Sequence, residues 1–223
     1  MQPVLGIFGG TFDPIHCGHL ELARELRDAL GFSAVRFIPA GDPPHRAAPV
    51  ATAAHRLAMV ELAIAGRPGL QVDAREIHRP GRSYTVPTLE ELRKEEPSRP
   101  LALIVGADAF LGLPTWHRWR EIFALAHVVV VGRPGVTIED GMPAALADEW
   151  SRRRLTDAAE LGRTAAGSLL VQAVTAHPIS ASVIRAQLAR GDEGVAAVRG
   201  LLPAAVLAYI DRNRLYRSRP DAT

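Results

Sequence analysis

Gly9-Gly10-Thr11-Phe12-Asp13-Pro14-Ile15-His16-Cys17-Gly18-His19-Leu20 is the stretch of this chain whose residue types and spacing best suit chemistry. Paired glycines let backbone N–H groups approach an anion closely, and the start of a following helix adds its positive dipole end. His16 and His19 lie three residues apart, so on an entering helical turn both rings can face one ligand. Gly18 between them leaves room for a flat base or a sugar. Zinc is a poor reading of the same string, because His16, Cys17 and His19 are too close in sequence to point at one ion.

A second segment, Ile179-Ser180-Ala181-Ser182-Val183-Ile184-Arg185, has complementary features. Ser180 can cap a helix whose first N–H groups then point at an anion, and Arg185 adds a charged fork. Asp108, in Gly106-Ala107-Asp108, follows an apolar run and can cap the next helix or accept from a sugar hydroxyl. Trp116 and Trp119, taken alone, read as core residues. Lys94 is the only lysine, so a phosphate clamp here must use Arg, His or backbone N–H groups. That lysine sits in Leu92-Arg93-Lys94-Glu95, which excludes a P-loop, and no G-x-G-x-x-G follows the first apolar run.

The elements that must hold these groups alternate. Apolar runs predict strands at 4–8, 34–38, 70–77, 101–105, 127–131 and 169–174. Helical spacing predicts helices at 18–30, 52–65, 88–95, 116–125, 180–190 and 203–212, with Leu57, Val60, Leu62 and Ile64 available for burial in the second. Thr88 and Glu91 have the spacing of a capping box for the third. Residues 136–168 carry no motif. Strands that are continuous apolar runs, alternating with helices, predict an α/β fold: a Rossmann-like, doubly wound parallel sheet covered on both faces. Ligands then bind where strand ends meet the following loops. The unusual residues do fall there, at 9–19, 39–46, 106–108 and 178–185.

Composition sets the outer limits. With 48% hydrophobic and 22% charged residues the chain is globular, and 223 residues without a Gly/Ser-rich linker fit one domain, 1–223. A net charge of +2 and the lack of a long basic run argue against nucleic acid as partner, despite a pI of about 9.1. One cysteine, Cys17, excludes an intrachain disulfide. The expectation is a cytoplasmic protein with neither signal peptide nor bilayer span, and a homo-oligomer stays open.

The first string resembles the signature of nucleotidyltransferases with an H-x-G-H motif, and more narrowly the bacterial nicotinate-nucleotide adenylyltransferases. Pro43-Pro44-His45-Arg46, Arg82-Ser83-Tyr84-Thr85-Val86, Gly106-Ala107-Asp108-Ala109, Trp116 with Trp119, the 179–185 segment and the tail to Tyr216 are similar to that family in order. The resemblance implies transfer of AMP from ATP to nicotinate mononucleotide, with Mg²⁺ held on the phosphates and no protein-bound metal. It implies catalytic roles for His16, His19 and Arg46. ATP would be bound by Gly9, Gly10, Thr11, Phe12, Gly18, Gly106, Asp108, Ile179, Ser180, Ser182 and Arg185, the part at about 178–216 completing that site. The mononucleotide would meet Tyr84, Thr85, Trp116 and His117.

Two positions depart from the family pattern: Arg46 stands where lysine is common, and Pro87 where an acidic residue is usual. Arginine keeps the charge but changes its geometry from point to fork. Proline is tolerated in a helix's first turn, so the fold should survive. Nicotinamide mononucleotide or pantetheine phosphate as acceptor, or a non-catalytic nucleotide-binding regulator, are the alternatives. The Tyr84-Thr85 and Trp116 segments speak against the pantetheine enzyme, and the intact His16, His19, Ser180 and Arg185 against the regulator.

Overall fold

A computed structural model describes residues 3–44, 48–132, 138–139, 141–175 and 177–217. Among these, seven strands form one sheet in which every pairing is parallel. The strands are β1 (Leu5–Gly10), β2 (Ala34–Pro39), β3 (Leu70–Val72), β4 (Leu101–Gly106), β5 (His127–Gly132), β6 (Arg154–Leu155) and β7 (Leu169–Ala173), in spatial order β3-β2-β1-β4-β5-β7-β6. Strand order reverses between β1 and β4, which opens a crevice at their carboxyl ends. Gly9-Gly10 and Gly106 end those two strands.

Both faces are covered because neighbouring strand residues point to opposite sides. Leu5, Ile7, Leu103, Val105, Val128 and Val130 pack into one core with α4 (Thr85–Glu95), α5 (Ala107–Leu111), α6 (Ile122–Leu125) and α7 (Ala144–Arg153). Ala102, Ile104, Val129 and Leu170 pack into the other, with α1 (Cys17–Leu30), α2 (Ala53–Ile64), α8 (Ala181–Leu188) and α10 (Ala204–Arg212). The doubly wound α/β architecture expected from the sequence is the one observed. A short α3 (Arg75–His78) and α9 (Asp192–Ala197) complete the helices of the described residues.

Several local expectations give way to tertiary contacts. The strand expected at 70–77 stops at Val72, because Asp73 accepts from the N–H and guanidinium of Arg75 and starts α3. Helix α4 begins three residues earlier than predicted, at Thr85. Thr88 is therefore inside the helix and makes no capping box. Its hydroxyl is buried and donates to the Glu76 carboxylate at 2.5 Å, while Glu91 pairs with Arg79 at 2.9 Å. Pro87 falls at the third helical position, where its missing N–H costs no intrahelical bond. The region 116–125 is only partly helical: a 3₁₀ turn at Trp119–Glu121 leads into α6. In α2 Val60 and Ile64 are buried but Leu62 is exposed, and the buried face instead includes Arg56. Within 136–168, β6 supplies the far edge of the sheet and α7 packs Leu146 and Trp150 into the core.

Candidate active site

Helix α1 enters from the loop after β1 and starts with the two histidines. His16 is the N-cap, in extended conformation, and its carbonyl accepts from the N–H of His19 at 3.0 Å. In return the His16 N–H donates to Nδ1 of His19 at 3.3 Å. With Nδ1 accepting, a neutral His19 carries its proton on Nε2. The two rings stack, their centroids 3.7 Å apart and 21° from parallel. Sequence spacing brings both rings together, as the helical turn predicts. Phe12 packs edge-on against His19 at 5.2 Å, so this buried side chain braces the ring and only its backbone is placed for a ligand. A Cβ on Gly18 would come within 3.2 Å of the His16 ring, whereas one on Gly9 would meet nothing within 4 Å. Gly18 thus allows close packing, and Gly9 keeps the strand end open to an approaching group.

Burial pushes the His16 pKa down to about 4, so near neutral pH this ring is an uncharged hydrogen-bonding group. Its Nδ1 is buried without a hydrogen-bond partner among the described residues. His127 at the opposite end of the sheet is also lowered by burial, its Nε2 facing the Thr164 carbonyl at 2.9 Å and its Nδ1 accepting from the Ser168 N–H. A depressed histidine pKa means that the unfolded chain takes up protons first. Stability is complete above about pH 6.5 and falls as pH drops towards 4, by up to about 3 kcal/mol for His16. Glu76, whose carboxyl is raised by burial, acts in the opposite sense. Urea unfolding at pH 7.5 and 4.5 should therefore show a smaller loss in His16→Gln than in the unaltered protein. An identical loss in both would contradict a buried, neutral His16.

A cleft of about 430 Å³ lies over this helix start, lined by His16, Gly18, His19, Ile179, Ser180, Ser182 and Arg185, together with Leu22, His177 and Ala181. The two segments singled out from the sequence therefore share one wall-to-wall site. Ser180 is the N-cap of α8, but its hydroxyl meets that of Ser182 at 2.7 Å and does not cap the helix. The first turn of α8 is left with backbone donors at the cleft. Arg185 donates through Nη1 to the Asp13 carbonyl at 2.7 Å.

Of the other expected residues, Asp108 follows a strand end, while Tyr84, Thr85, Trp116 and His117 lie at helix and turn ends. Asp108 is exposed in the first turn of α5, after Gly106. Tyr84 is the N-cap of α4 and Thr85 its first residue. The Tyr84 ring lies 4.7 Å from that of His117, and Trp116, next to His117 in the chain, is half-buried against the core. Trp119, by contrast, is a core residue. Arg46 and His45 lie outside the described residues. No three His, Cys, Asp or Glu side chains among the described residues are grouped to hold a metal.

Three residues near the site escape sequence reasoning. Arg56 is 1% exposed and has no carboxylate within ion-pair distance among the described residues; its guanidinium donates to the carbonyls of Thr11, Gly41 and Ala51. The Gly41 N–H donates in turn to Ser83, next to Tyr84. Arg56 thereby fixes the spacing between the loops after β1 and β2, and through Ser83 the start of α4. The signal was an arginine sharing the helical face of Val60 and Ala63. Asp13 is the second, buried at 6% exposure and accepting from the N–H groups of Val50 and Ala51 and the hydroxyl of Tyr216. His177 is the third. It lies before the recognised motif and nothing in its sequence context marked it.

Residues 7–187 match the family model for cytidylyltransferase-like proteins. A Dechloromonas aromatica protein named "Probable nicotinate-nucleotide adenylyltransferase" is 50% identical over 98% of this chain and 100% of its own length. One of the same name from Halorhodospira halophila is 52% identical over 92% of each chain. The chain belongs to the nicotinate-nucleotide adenylyltransferase family. In fold it is similar to Plasmodium falciparum nicotinic acid mononucleotide adenylyltransferase complexed with NaAD, with a TM-score of 0.72, 14% identity and coverage of 96% of this chain and 98% of that one. Membership of this adenylyltransferase family accords with the shared cleft of the H-x-G-H and 179–185 segments. No helix of the described residues is long and apolar enough to cross a membrane.

Proposed function

We propose that this protein transfers the AMP part of ATP to nicotinate mononucleotide, giving nicotinate adenine dinucleotide and pyrophosphate, as a cytoplasmic step of NAD biosynthesis. The observation that carries the reading is the stacked pair His16 and His19 facing Ser180, Ser182 and Arg185 across one cleft at the strand-order reversal. In this reading the 5′-phosphate of the mononucleotide attacks the α-phosphorus of ATP in line. The bond from that phosphorus to the bridging oxygen breaks, and pyrophosphate leaves. No side-chain nucleophile is needed, because such transfer rests on positioning and on stabilising charge.

Each group has a distinct part. Neutral His16 offers a hydrogen bond to a phosphate oxygen, and His19 meets the charge that develops at the transition state. The strand end at Gly9 and Gly10, open at Gly9, and Thr11 hold phosphate, and Arg46 adds charge. The first turn of α8, with Ser180, Ser182 and Arg185, takes the β- and γ-phosphates. Asp108 accepts from a sugar hydroxyl. The absence of any carboxylate among the cleft-lining residues fits Mg²⁺ carried on phosphate oxygens and water, where it would neutralise charge. Trp116, Tyr84 and His117 make an aromatic seat for the pyridine ring, and the first N–H groups of α4 suit its carboxylate.

Pyrophosphate release from ATP tests this directly, with nicotinate mononucleotide, nicotinamide mononucleotide and phosphopantetheine offered in turn. Release with the first alone supports the reading, and release only with phosphopantetheine overturns it. Arg185→Ala should weaken ATP and pyrophosphate binding roughly 10- to 100-fold, about 1.5–3 kcal/mol for a charge-assisted contact. Nicotinate mononucleotide should bind almost unchanged. Equal losses for the two ligands, read by calorimetric titration, would remove Arg185 from the triphosphate site.

A further inference from the structure

Asp13 sits inside the glycine-rich string, yet its side chain does not face the cleft with the histidines. Oδ2 accepts from the Val50 N–H at 2.8 Å, and Oδ1 accepts from the Ala51 N–H at 3.1 Å and the Tyr216 hydroxyl at 2.7 Å. The hydroxyl arrives from 203 residues further along the chain. Tyr216 itself is 8% exposed and holds φ at 64°, a backbone conformation that a residue with a side chain seldom adopts. Its phenol is held protonated, its pKa raised by burial and by the Asp13 carboxylate, so it stays a donor.

Arg185 touches the same joint from the other side. Nη1 donates to the Asp13 carbonyl, and it lies 4.0 Å from Oδ2, an ion pair without a direct hydrogen bond. Arg185 and Ser182 line the phosphate-side cleft and also a second hollow of about 470 Å³, shared with Val50, Tyr216 and Arg217. Three donors fill three of a carboxylate's roughly four acceptor sites, and the open one is on Oδ2, the oxygen nearer Arg185. A carboxylate that loses its anchor on Oδ1 is freer to turn towards that cation.

We propose that Asp13 and Tyr216 are positioning residues for the triphosphate. By anchoring Oδ1, the Tyr216 hydroxyl fixes the Asp13 carboxylate so that Oδ2 stays 4.0 Å from Arg185, which keeps that ion pair from closing into a hydrogen-bonded one and leaves the rest of the guanidinium for phosphate. The proposal rests on the reading that the cleft takes ATP, and it makes the segment around Tyr216 a working part of that site.

Tyr216→Phe removes one oxygen and tests this in two backgrounds. ATP and nicotinate mononucleotide affinities are measured by calorimetric titration, with the thermal midpoint and turnover recorded beside them. In the otherwise unaltered protein the substitution should weaken ATP binding roughly 5- to 10-fold, as for loss of one hydrogen bond to a charged group. Binding of nicotinate mononucleotide should change less than about twofold. In an Arg185→Ala background the same substitution should weaken ATP binding no further, because its effect runs through Arg185. Unchanged ATP affinity, equal losses for both ligands, or equal losses in both backgrounds would each overturn the proposal. If Tyr216→Phe does not fold at 25 °C the titrations are repeated at 10 °C, and failure there assigns Tyr216 a purely structural role. ATP binding without turnover in the unaltered protein would overturn the catalytic reading alone; no ATP binding would overturn both.

Discussion

His19→Ala lowers kcat by about 100-fold or more while leaving the protein folded, the size expected for losing one preorganised group aimed at developing charge. The preorganisation is visible in three contacts. The ring stacks on His16 at 3.7 Å, Phe12 meets it edge-on, and Nδ1 is committed to the His16 N–H. Each removes a freedom the ring would otherwise lose only during reaction. The last contact also belongs to the helix N-terminus, so alanine costs roughly 1 kcal/mol of stability as well. His19→Asn, which retains an acceptor, separates the two effects. It should restore most of the thermal midpoint but little of kcat. Near-normal turnover in His19→Ala would take His19 out of the mechanism.

The second large effect is choice of acceptor. The unaltered enzyme should favour nicotinate over nicotinamide mononucleotide by at least about 100-fold in kcat/KM, or about 2.7 kcal/mol. In the proposed pocket backbone donors at the start of α4 would satisfy a carboxylate, whereas an amide would turn its NH₂ towards another donor and leave a polar group unpaired. Pro87, third in that helix, supplies no N–H, so the donors of this first turn would be those of Thr85 and Val86. Trp116→Ala should raise the KM for the mononucleotide by the equivalent of about 1–3 kcal/mol, as for loss of a stacked base, with little change for ATP. Comparable rates on acid and amide would sink the carboxylate pocket while sparing the adenylyltransferase assignment. An unchanged KM in Trp116→Ala would make that residue a core residue only.

What the sequence reveals, and what it hides, follows from the range of the forces involved. Apolar strand runs such as 101–105 and 127–131 are legible because burial on both faces needs every residue to be apolar. The histidine pair is legible because one helical turn fixes its geometry. The end of the third strand is not, since Asp73 bonding to Arg75 decides it against the apolar pattern of Ile77. Thr88 misleads because a buried carboxylate from another element, Glu76, claims its hydroxyl. Arg56 and Asp13 are hidden for the same reason. Their partners, Thr11 and Gly41 for the one and Val50, Ala51 and Tyr216 for the other, become neighbours only after the chain has folded.

Ribosomal synthesis meets the Asp13 joint in a fixed order. The two amides that first occupy its carboxylate belong to Val50 and Ala51, made soon after it, but the Tyr216 hydroxyl follows 203 residues behind Asp13. At roughly 5–20 residues per second, that interval is on the order of 10–40 s. During it the nascent glycine-rich loop and its histidines can already be packed against β1, with the last donor still unmade. A chain released before Tyr216 would carry an Asp13 short of one partner, the same loss that Tyr216→Phe produces in the whole chain.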